Sequence, residues 1–177
     1  YKGARNSSRL MQTTEEKLSY LVTRMPATFA AVSASLQNLA NLCPHLSPKT
    51  ILDVGAGPGT ASWAAFEHDP SLRRFTLLEQ DEELVKLGKA LAEGTAMQDG
   101  EWLRGDIAAR PSLATHDLVI CSYALGEIPP PLRNDIVAWM WTLADQALLI
   151  VEPGSREGFD TIRKARDVLI ASGARIA

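Results

Sequence analysis

The stretch Asp53-Val54-Gly55-Ala56-Gly57-Pro58-Gly59 decides how the rest of the chain is interpreted. It follows a run at residues 50–54 that is typical of a buried strand, and it precedes a segment at residues 60–68 that is typical of a helix. Glycine adopts positive φ angles without strain and lets a ligand approach the bare backbone. Three glycines in five residues between a strand and a helix therefore predict a ligand-binding loop.

An alternation of strands and helices extends on both sides of this loop. The predicted strands occupy residues 50–54, 74–79, 101–104, 117–122 and 147–151, and the predicted helices occupy residues 60–68, 81–92, about 132–143 and 155–172. Five strands separated by helices predict a parallel sheet with helices on both faces. Ligands of such sheets bind outside the carboxyl ends of the strands.

The first 48 residues predict a helical extension in front of this sheet. A capping box at residues 13–16 opens one helix, and Pro26 ends that helix and begins a second one, which reaches about Asn41. We therefore divide the chain into an N-terminal helical extension, residues 1–48, and an α/β core, residues 49–177.

Chemically informative residues follow the other strands. Glu79 ends the second strand, where a carboxylate can accept hydrogen bonds from both hydroxyls of a ribose. Asp106 follows the third strand and can accept from an exocyclic amine, while Ile107 can pack on a flat base. The segment 122–127 follows the fourth strand, where a reaction centre would lie. Together these positions predict a nucleoside site at one edge of the sheet.

The glycine loop differs from two common nucleotide signatures. A dinucleotide loop would need glycine at position 60, but Thr60 stands there and the third glycine is Gly59. The sequence also has no G-x-x-x-x-G-K-[ST] phosphate loop. A nucleoside without phosphate needs no basic group in the loop, and residues 53–60 contain none. S-Adenosylmethionine is the cofactor that remains for this layout.

Composition narrows the class of protein. Hydrophobic residues make up 46% and charged residues 22%, which excludes a disordered or fibrous chain. The net charge of −3 is mild evidence against RNA or DNA as a partner, and we expect no DNA partner. The apolar runs are too short to span a membrane. Two cysteines, Cys43 and Cys121, exclude a disulfide framework. No Cys/His cluster has zinc spacing, so we expect no metal site.

The chain resembles the class I S-adenosylmethionine-dependent methyltransferases. The loop 53–59, Glu79, Asp106 and the segment after strand four match the motifs of that superfamily in order and spacing, over about residues 49–172. The resemblance implies a Rossmann-like sheet. It implies that the glycines bind the methionine end and ribose, Glu79 the ribose hydroxyls, and Asp106 with Ile107 the adenine. The expected cofactor-binding residues are Asp53, Gly55, Gly57, Gly59, Glu79, Asp106, Ile107, Ser122 and Arg24.

A narrower resemblance includes the N-terminal extension. Residues 24–32 (RMPATFAAV), 52–61 (LDVGAGPGTA) and 151–154 (VEPG) are similar to the mitochondrial small-ribosomal-subunit methyltransferase-like family and its bacterial relatives. This resemblance implies the small ribosomal subunit or its rRNA as the partner, and the bacterial cytoplasm or mitochondrial matrix as the location. It also implies that a turn at residues 24–28 lies over the mouth of the cofactor site.

The same family carries a cysteine-rich stretch after the methyltransferase core, which can hold an iron–sulfur cluster. No residue of this chain supplies such cysteines. We therefore expect the natural chain to continue past Ala177 with a final strand pair and a cysteine-bearing stretch, and we expect a cluster only there.

The sequence assigns no catalytic residue. Enzymes that methylate amino groups of nucleic acids often carry Asn/Asp-Pro-Pro-aromatic after strand four, whereas this chain has Ser122-Tyr123-Ala124-Leu125. Tyr123 fits a packed aromatic or a stacking platform for an acceptor base. Glu127 is the nearest acid/base candidate, although a capping or solvated role fits it as well. Cys121 is expected in the core, and His45, His68 and His116 are expected to face solvent.

Three functions remain compatible with these observations. The first is methylation of small-subunit rRNA. The second is a ribosome-assembly factor that binds the cofactor without transferring a methyl group. The third is methylation of a small molecule, which the acidic net charge favours.

Overall fold

The structure is a computed structural model that describes residues 14–177, with side chains described from Thr23 onward. The helices are α1 (Thr14–Leu42), α2 (Thr60–His68), α3 (Glu82–Ala92), α4 (Pro130–Thr142) and α5 (Arg156–Ala171). The strands are β1 (Thr50–Val54), β2 (Arg74–Glu79), β3 (Glu101–Arg104), β4 (His116–Ser122) and β5 (Ala144–Val151). Two short 3-10 turns, Ile107–Ala109 and Leu125–Glu127, follow β3 and β4.

The five strands form one parallel sheet in the order β3-β2-β1-β4-β5. This confirms the predicted α/β sheet with helices on both faces. The strand order reverses between β1 and β4. These two strands pair directly, and Leu52 of β1 lies opposite Val119 of β4. The loops that leave these two strands lead to α2 and α4 on opposite faces of the sheet. We call the region between these loops, at the carboxyl edge, the crevice, because ligands of such sheets bind there.

Two hydrophobic clusters, one on each face, hold the sheet in place. Helices α1, α2 and α3 cover the face that carries Ile51, while α4 and α5 cover the face that carries Leu52. Ile51 and Leu52, which are adjacent in β1 and point to opposite faces, are both fully buried. Strands buried on both faces have near-continuous apolar sequences, which is why β1 could be recognised without an alternating pattern.

Helix α1 corrects the prediction of two N-terminal helices separated at Pro26. The helix continues through Pro26, so residues 24–28 are helical rather than a turn. A proline inside a helix removes one hydrogen bond and costs about 3 kcal/mol. Burial of Val32 and Leu36 in the core offsets this, at about 1.5–3 kcal/mol for each side chain. Thr13 of the predicted capping box lies outside the described residues.

Despite its length, α1 lacks the continuous apolar sequence that a membrane-crossing helix requires, and so do the other helices in residues 14–177.

His116 also differs from its prediction, because it is buried at the start of β4 instead of facing solvent. Its Nδ1 lies 3.0 Å from the carbonyl of Ala114, which can only accept, so Nδ1 carries the proton. Its Nε2 lies 2.9 Å from the Thr76 hydroxyl, which therefore donates to it. Burial lowers the pKa of His116, and the nearby carboxylates of Glu101 and Asp117 oppose this only in part. His45 and His68 are exposed, and Cys121 is buried, as predicted.

The burial of neutral His116 predicts a pH-dependent stability. Because its pKa is lower in the folded state, the unfolded chain takes up the proton first as the pH falls below about 6.5. Its stabilising contribution is therefore present above that pH and is lost below it. We expect His116→Gln to flatten the decline in the free energy of unfolding between pH 7 and pH 5, by at most about 1.4 kcal/mol per pH unit. Urea denaturation across this range measures the slope, with His45→Gln as the exposed control. Equal slopes in wild type and His116→Gln would contradict the assignment.

Candidate functional site

The predicted site residues converge on the crevice where β1 and β4 end. The glycine loop leaves β1 on one side of the crevice, and the turn Leu125–Glu127 follows β4 on the other. Glu79 ends the neighbouring strand β2, and Asp106 follows β3. The sheet topology thus brings together residues that are far apart in sequence.

The glycine loop has a backbone that other residues rarely adopt. Gly55, Gly57 and Gly59 have φ angles of +73°, +55° and +87°. The N–H groups of Gly55 and Ala56 both donate to the carbonyl of Leu78 in β2, at 2.9 and 3.0 Å. These bonds hold the loop against the end of β2, where Glu79 begins the next connection.

Glu79 links the glycine loop to the segment that follows β2. Its Oε2 accepts from the N–H of Gly57 at 2.8 Å, and its Oε1 accepts from the N–H of Asp81 at 2.8 Å. The side chain is only 7% exposed. Each carboxylate oxygen can accept more than one hydrogen bond. Glu79 is therefore fixed by the backbone while it keeps acceptor capacity for a ligand.

Asp53 is turned toward helix α2. Its Oδ2 accepts from the N–H and the hydroxyl of Ser62, at 3.0 and 2.8 Å. The residue before the helix is Gly59, which has no side chain to cap it, so Asp53 supplies the missing acceptor from β1. Burial raises the pKa of Asp53 from 3.8 to about 6, against the lowering effect of the Ser62 hydrogen bonds.

Thr60 is a candidate site residue that no sequence motif indicates. Among residues 23–177 its Oγ1 is the one buried side-chain polar atom without a hydrogen-bond partner. The residue is 4% exposed and is the first residue of α2. A buried hydroxyl left unpaired is unfavourable, which makes it a candidate for contact with a bound ligand. The only sequence signal was its position directly after the third glycine.

The opposite wall of the crevice lies very close to Gly55. A Cβ atom at Gly55 would lie 2.5 Å from the Cβ of Ala124 and 3.0 Å from the Cδ1 of Ile107. Glycine is therefore required here by space as well as by its φ angle. Ile107 is half-buried beside the loop, whereas Asp106 is exposed and caps the turn Ile107–Ala109 through the N–H of Ala108 at 2.8 Å.

The backbone is strained directly after β4. Tyr123 has a φ of +57°, a region that bulky side chains rarely adopt and that costs on the order of 1–3 kcal/mol. Its N–H donates to the carbonyl of Val151 at 2.7 Å, which holds it in place. Its ring packs partly on the core, and Ser122 is half-buried at the end of β4. The next residue along the chain, Ala124, is the one that lies beside Gly55 of the glycine loop.

Arg24 and three glutamates set the electrostatics of the crevice. Partial burial raises the pKa of Glu127, the guanidinium of Arg24 opposes this, and Glu79 and Glu152 add to it. Arg24 is therefore close enough to act on the turn after β4. Burial also raises the pKa of Glu152, whose Oε1 accepts from the N–H of Gly126 at 3.1 Å.

No group of three or more His, Cys, Asp or Glu side chains in the part of the chain with described side chains is arranged to hold a metal ion. A cavity of about 210 Å³ lies at the opposite, amino end of the strands, with Leu36, Leu72 and Leu118 in its mainly apolar wall. None of the predicted site residues lines it.

Comparison with known proteins gives the family and two relatives. Residues 14–177 match the model of the family described as mitochondrial small ribosomal subunit Rsm22. The chain is 27% identical over 168 residues to the human mitochondrial ribosome assembly protein METTL17, covering 91% of this chain and 37% of that protein. It is 25% identical over 123 residues to the carboxy-S-adenosyl-L-methionine synthase of Dichelobacter nodosus (strain VCS1703A), covering 69% of this chain and 52% of that protein. The chain thus spans about a third to a half of the length of these two relatives.

A solved structure supports the fold. The plantazolicin methyltransferase BpumL in complex with SAH matches with a TM-score of 0.63 and 15% identity, covering 89% of this chain and 65% of that chain. At this identity the likeness establishes the fold only. The predicted Rossmann-like sheet and the predicted likeness in fold to class I methyltransferases are confirmed. The family match confirms the narrower resemblance to the mitochondrial small-ribosomal-subunit family.

We predict that removing the buried charge of Asp53 stabilises the protein. Folding raises the pKa of Asp53, so the folded state holds the proton more tightly than the unfolded state does. Asp53 therefore contributes to stability in full below pH 3.8, and this contribution is lost as the pH rises through about 6. We expect Asp53→Asn, which can still accept from Ser62, to raise the free energy of unfolding at pH 8 by up to about 3 kcal/mol. The gain should shrink as the pH falls toward 4.

Asp69 provides the control of opposite sign, because the Ser71 hydroxyl lowers its pKa. Asp69→Asn should reduce stability at pH 8. Denaturant unfolding of the three proteins at pH 4, 6 and 8 makes the comparison, and an Asp53→Asn variant that is less stable than wild type at pH 8 would refute the prediction.

Proposed function

The chain belongs to the mitochondrial small ribosomal subunit Rsm22 family, and from that premise we propose that residues 49–177 form an S-adenosylmethionine-binding module that acts in assembly of the small ribosomal subunit. Residues 1–48 would form an extension of this module. The compartment would be the mitochondrial matrix, or the cytoplasm for a bacterial member. The partner would be the small subunit or its rRNA.

The geometry of Glu79 is the observation that carries this proposal. Both of its oxygens are fixed by backbone N–H groups at 2.8 Å, one of them in the glycine loop. A ribose presents two adjacent hydroxyls that donate hydrogen bonds, and the two carboxylate oxygens match that pair. The loop 53–60 has no Lys or Arg, which suits a nucleoside without phosphates.

The other residues of the crevice fit the remaining parts of the cofactor. The unpaired Thr60 hydroxyl and the N-terminus of α2 favour the methionine carboxylate, because a helix N-terminus attracts negative charge. Arg24 would add a cation on the same side as Glu127. Ile107 would pack against the adenine, and the carboxylate of exposed Asp106 would accept from its amine. When bound, S-adenosylmethionine supplies an electrophilic methyl group on a sulfonium.

We propose rRNA methylation as the activity of this module. Transfer to a good nucleophile depends mainly on proximity and alignment, which a rigid crevice can supply. Ser122 and Tyr123 lie where the acceptor would approach, between the end of β4 and the turn Leu125–Glu127. Glu127, whose pKa is raised by burial, would accept a proton from an acceptor that must lose one.

A non-catalytic assembly factor is the second candidate function. The segment 122–125 offers no side-chain amide or carboxylate to orient an acceptor amine. Glu127 and Glu152 also place negative charge beside the crevice, which disfavours the phosphates of an RNA acceptor. In this case the bound cofactor would stabilise a conformation that docks on the subunit.

Incubation with methyl-labelled S-adenosylmethionine separates the candidate functions. We expect label in the rRNA of immature small subunits and none in mature subunits that are already modified. Cofactor-dependent binding to immature subunits without transfer of label would support the assembly factor instead. Label only in a small-molecule fraction would support a small-molecule methyltransferase and would contradict both.

Cofactor binding can be tested independently of the acceptor. Loss of hydrogen bonds to a charged acceptor costs roughly 1–3 kcal/mol, so we expect Glu79→Ala to weaken S-adenosylmethionine binding by about 10- to 100-fold. Thr60→Val replaces the hydroxyl with a methyl group of similar size and should weaken binding by a smaller factor. Calorimetry measures both, with Glu93→Ala on the exposed end of α3 as control. Unchanged affinity in Glu79→Ala would contradict the ribose assignment, and tight NAD binding in place of S-adenosylmethionine would contradict the proposed function.

A further inference from the structure

Three consecutive prolines leave carbonyl groups of the turn after β4 without backbone donors. Pro129, Pro130 and Pro131 follow Ile128 directly, and proline has no N–H. In a continuing helix the carbonyl of Gly126 would pair with residue 129 or 130, and both are prolines. The carbonyl of Ile128 loses its partner as well, because the N–H of Leu132 donates to Pro129.

Arg133 on α4 replaces these missing donors. Its Nε donates to the carbonyl of Ile128 at 2.7 Å, and its Nη2 donates to the carbonyl of Gly126 at 2.6 Å. Its Nη1 donates to the hydroxyl of Thr161 on α5 at 3.0 Å. Three donors of one rigid, half-buried guanidinium thus hold the turn and tie it to a second helix.

The same turn is held from the other side by β5. The N–H of Gly126 donates to Glu152, which follows β5, and the N–H of Tyr123 donates to Val151. Arg133 also lowers the pKa of Glu152 against the raising effect of burial, so the two charges lie near each other. Residues 123–128, which we call the acceptor wall, are therefore fixed between α4 and β5.

The acceptor wall reaches the proposed cofactor site through Ala124. Its Cβ would lie 2.5 Å from a Cβ at Gly55, so any outward movement of the wall changes the width of the crevice directly. Glu127 is carried on the same wall. A wall that is fixed before the ligand arrives lowers the entropy that binding must offset.

We propose that Arg133 is a positioning residue of this site: it supplies the donors that the proline run lacks, and through the carbonyls of Gly126 and Ile128 it sets the acceptor wall against the glycine loop. The proposal rests on the proposed cofactor site. Arg133 acts through the wall and has no part in the chemistry itself. A lysine at position 133 could donate to one of the two carbonyls, but it lacks the planar set of donors with which the guanidinium reaches both.

Hydrogen exchange of the free protein and calorimetry with S-adenosylmethionine test the proposal together. In Arg133→Met we expect the amides of Tyr123, Gly126, Glu127 and Ile128 to exchange about tenfold faster or more, and the affinity for S-adenosylmethionine to fall several-fold. Exchange in β1 and β2 should not change. Arg133→Lys should give intermediate values for both measurements. Arg163→Met, on the exposed side of α5, is the matched control and should resemble wild type.

Two results would overturn the proposal. The first is that amides of the acceptor wall exchange no faster in Arg133→Met than in Arg163→Met. The other is faster exchange with unchanged affinity, which would make Arg133 structural only. If wild type binds no S-adenosylmethionine while the wall loosens as expected, the proposed function fails and the positioning of the wall by Arg133 is still supported.

Discussion

The hydrogen bond between the carboxylate of Glu79 and the N–H of Gly57 is the constraint on which the site depends. It joins the end of β2 to the glycine loop that follows β1, and the second oxygen of Glu79 fixes the start of the next connection at Asp81. Parallel pairing of β1 with β2 places these groups at the same level of the sheet. Without that pairing, nothing would bring the glycine loop after β1 and the acidic residue at the end of β2 into contact.

Several unfavourable features are concentrated at the same edge of the sheet. Asp53 is a buried carboxylate, the Thr60 hydroxyl has no partner, and Tyr123 has a positive φ. Each costs on the order of 1–3 kcal/mol, and such costs persist only where the surrounding structure over-determines them. The two hydrophobic clusters lie behind this edge, and burial of one large apolar side chain offsets a feature of this size. Their concentration at one edge of the sheet agrees with the proposed ligand site, because strained and unpaired groups cluster at functional sites.

Elements set by local signals could be predicted from the sequence, and long-range contacts could not. The first three strands and α2 follow from apolar runs bounded by glycine and proline, and they agree residue for residue with the structure. The continuation of α1 through Pro26 depends on packing of Val32 and Leu36 against the sheet, which no local pattern contains. The burial of His116 depends on Thr76, which lies 40 residues earlier in the chain. The unpaired state of Thr60 is likewise a property of its surroundings.

The two halves of the crevice are held by largely separate sets of contacts, and this bears on what the module can do. The half that we propose binds the cofactor depends on β1, β2 and the start of α2, through Glu79, Asp53 and the carbonyl of Leu78. The acceptor half depends on α4, α5 and the end of β5, through Arg133 and Glu152. The two halves meet where Ala124 packs beside Gly55, so a shift of the wall backbone reaches the glycine loop. A change of a side chain that leaves the contacts of Arg133, Glu152 and Glu79 in place does not reach it. A protein built in this way can retain cofactor binding after its acceptor wall has lost the groups that orient a substrate, which makes a cofactor-dependent assembly factor physically accessible from a methyltransferase.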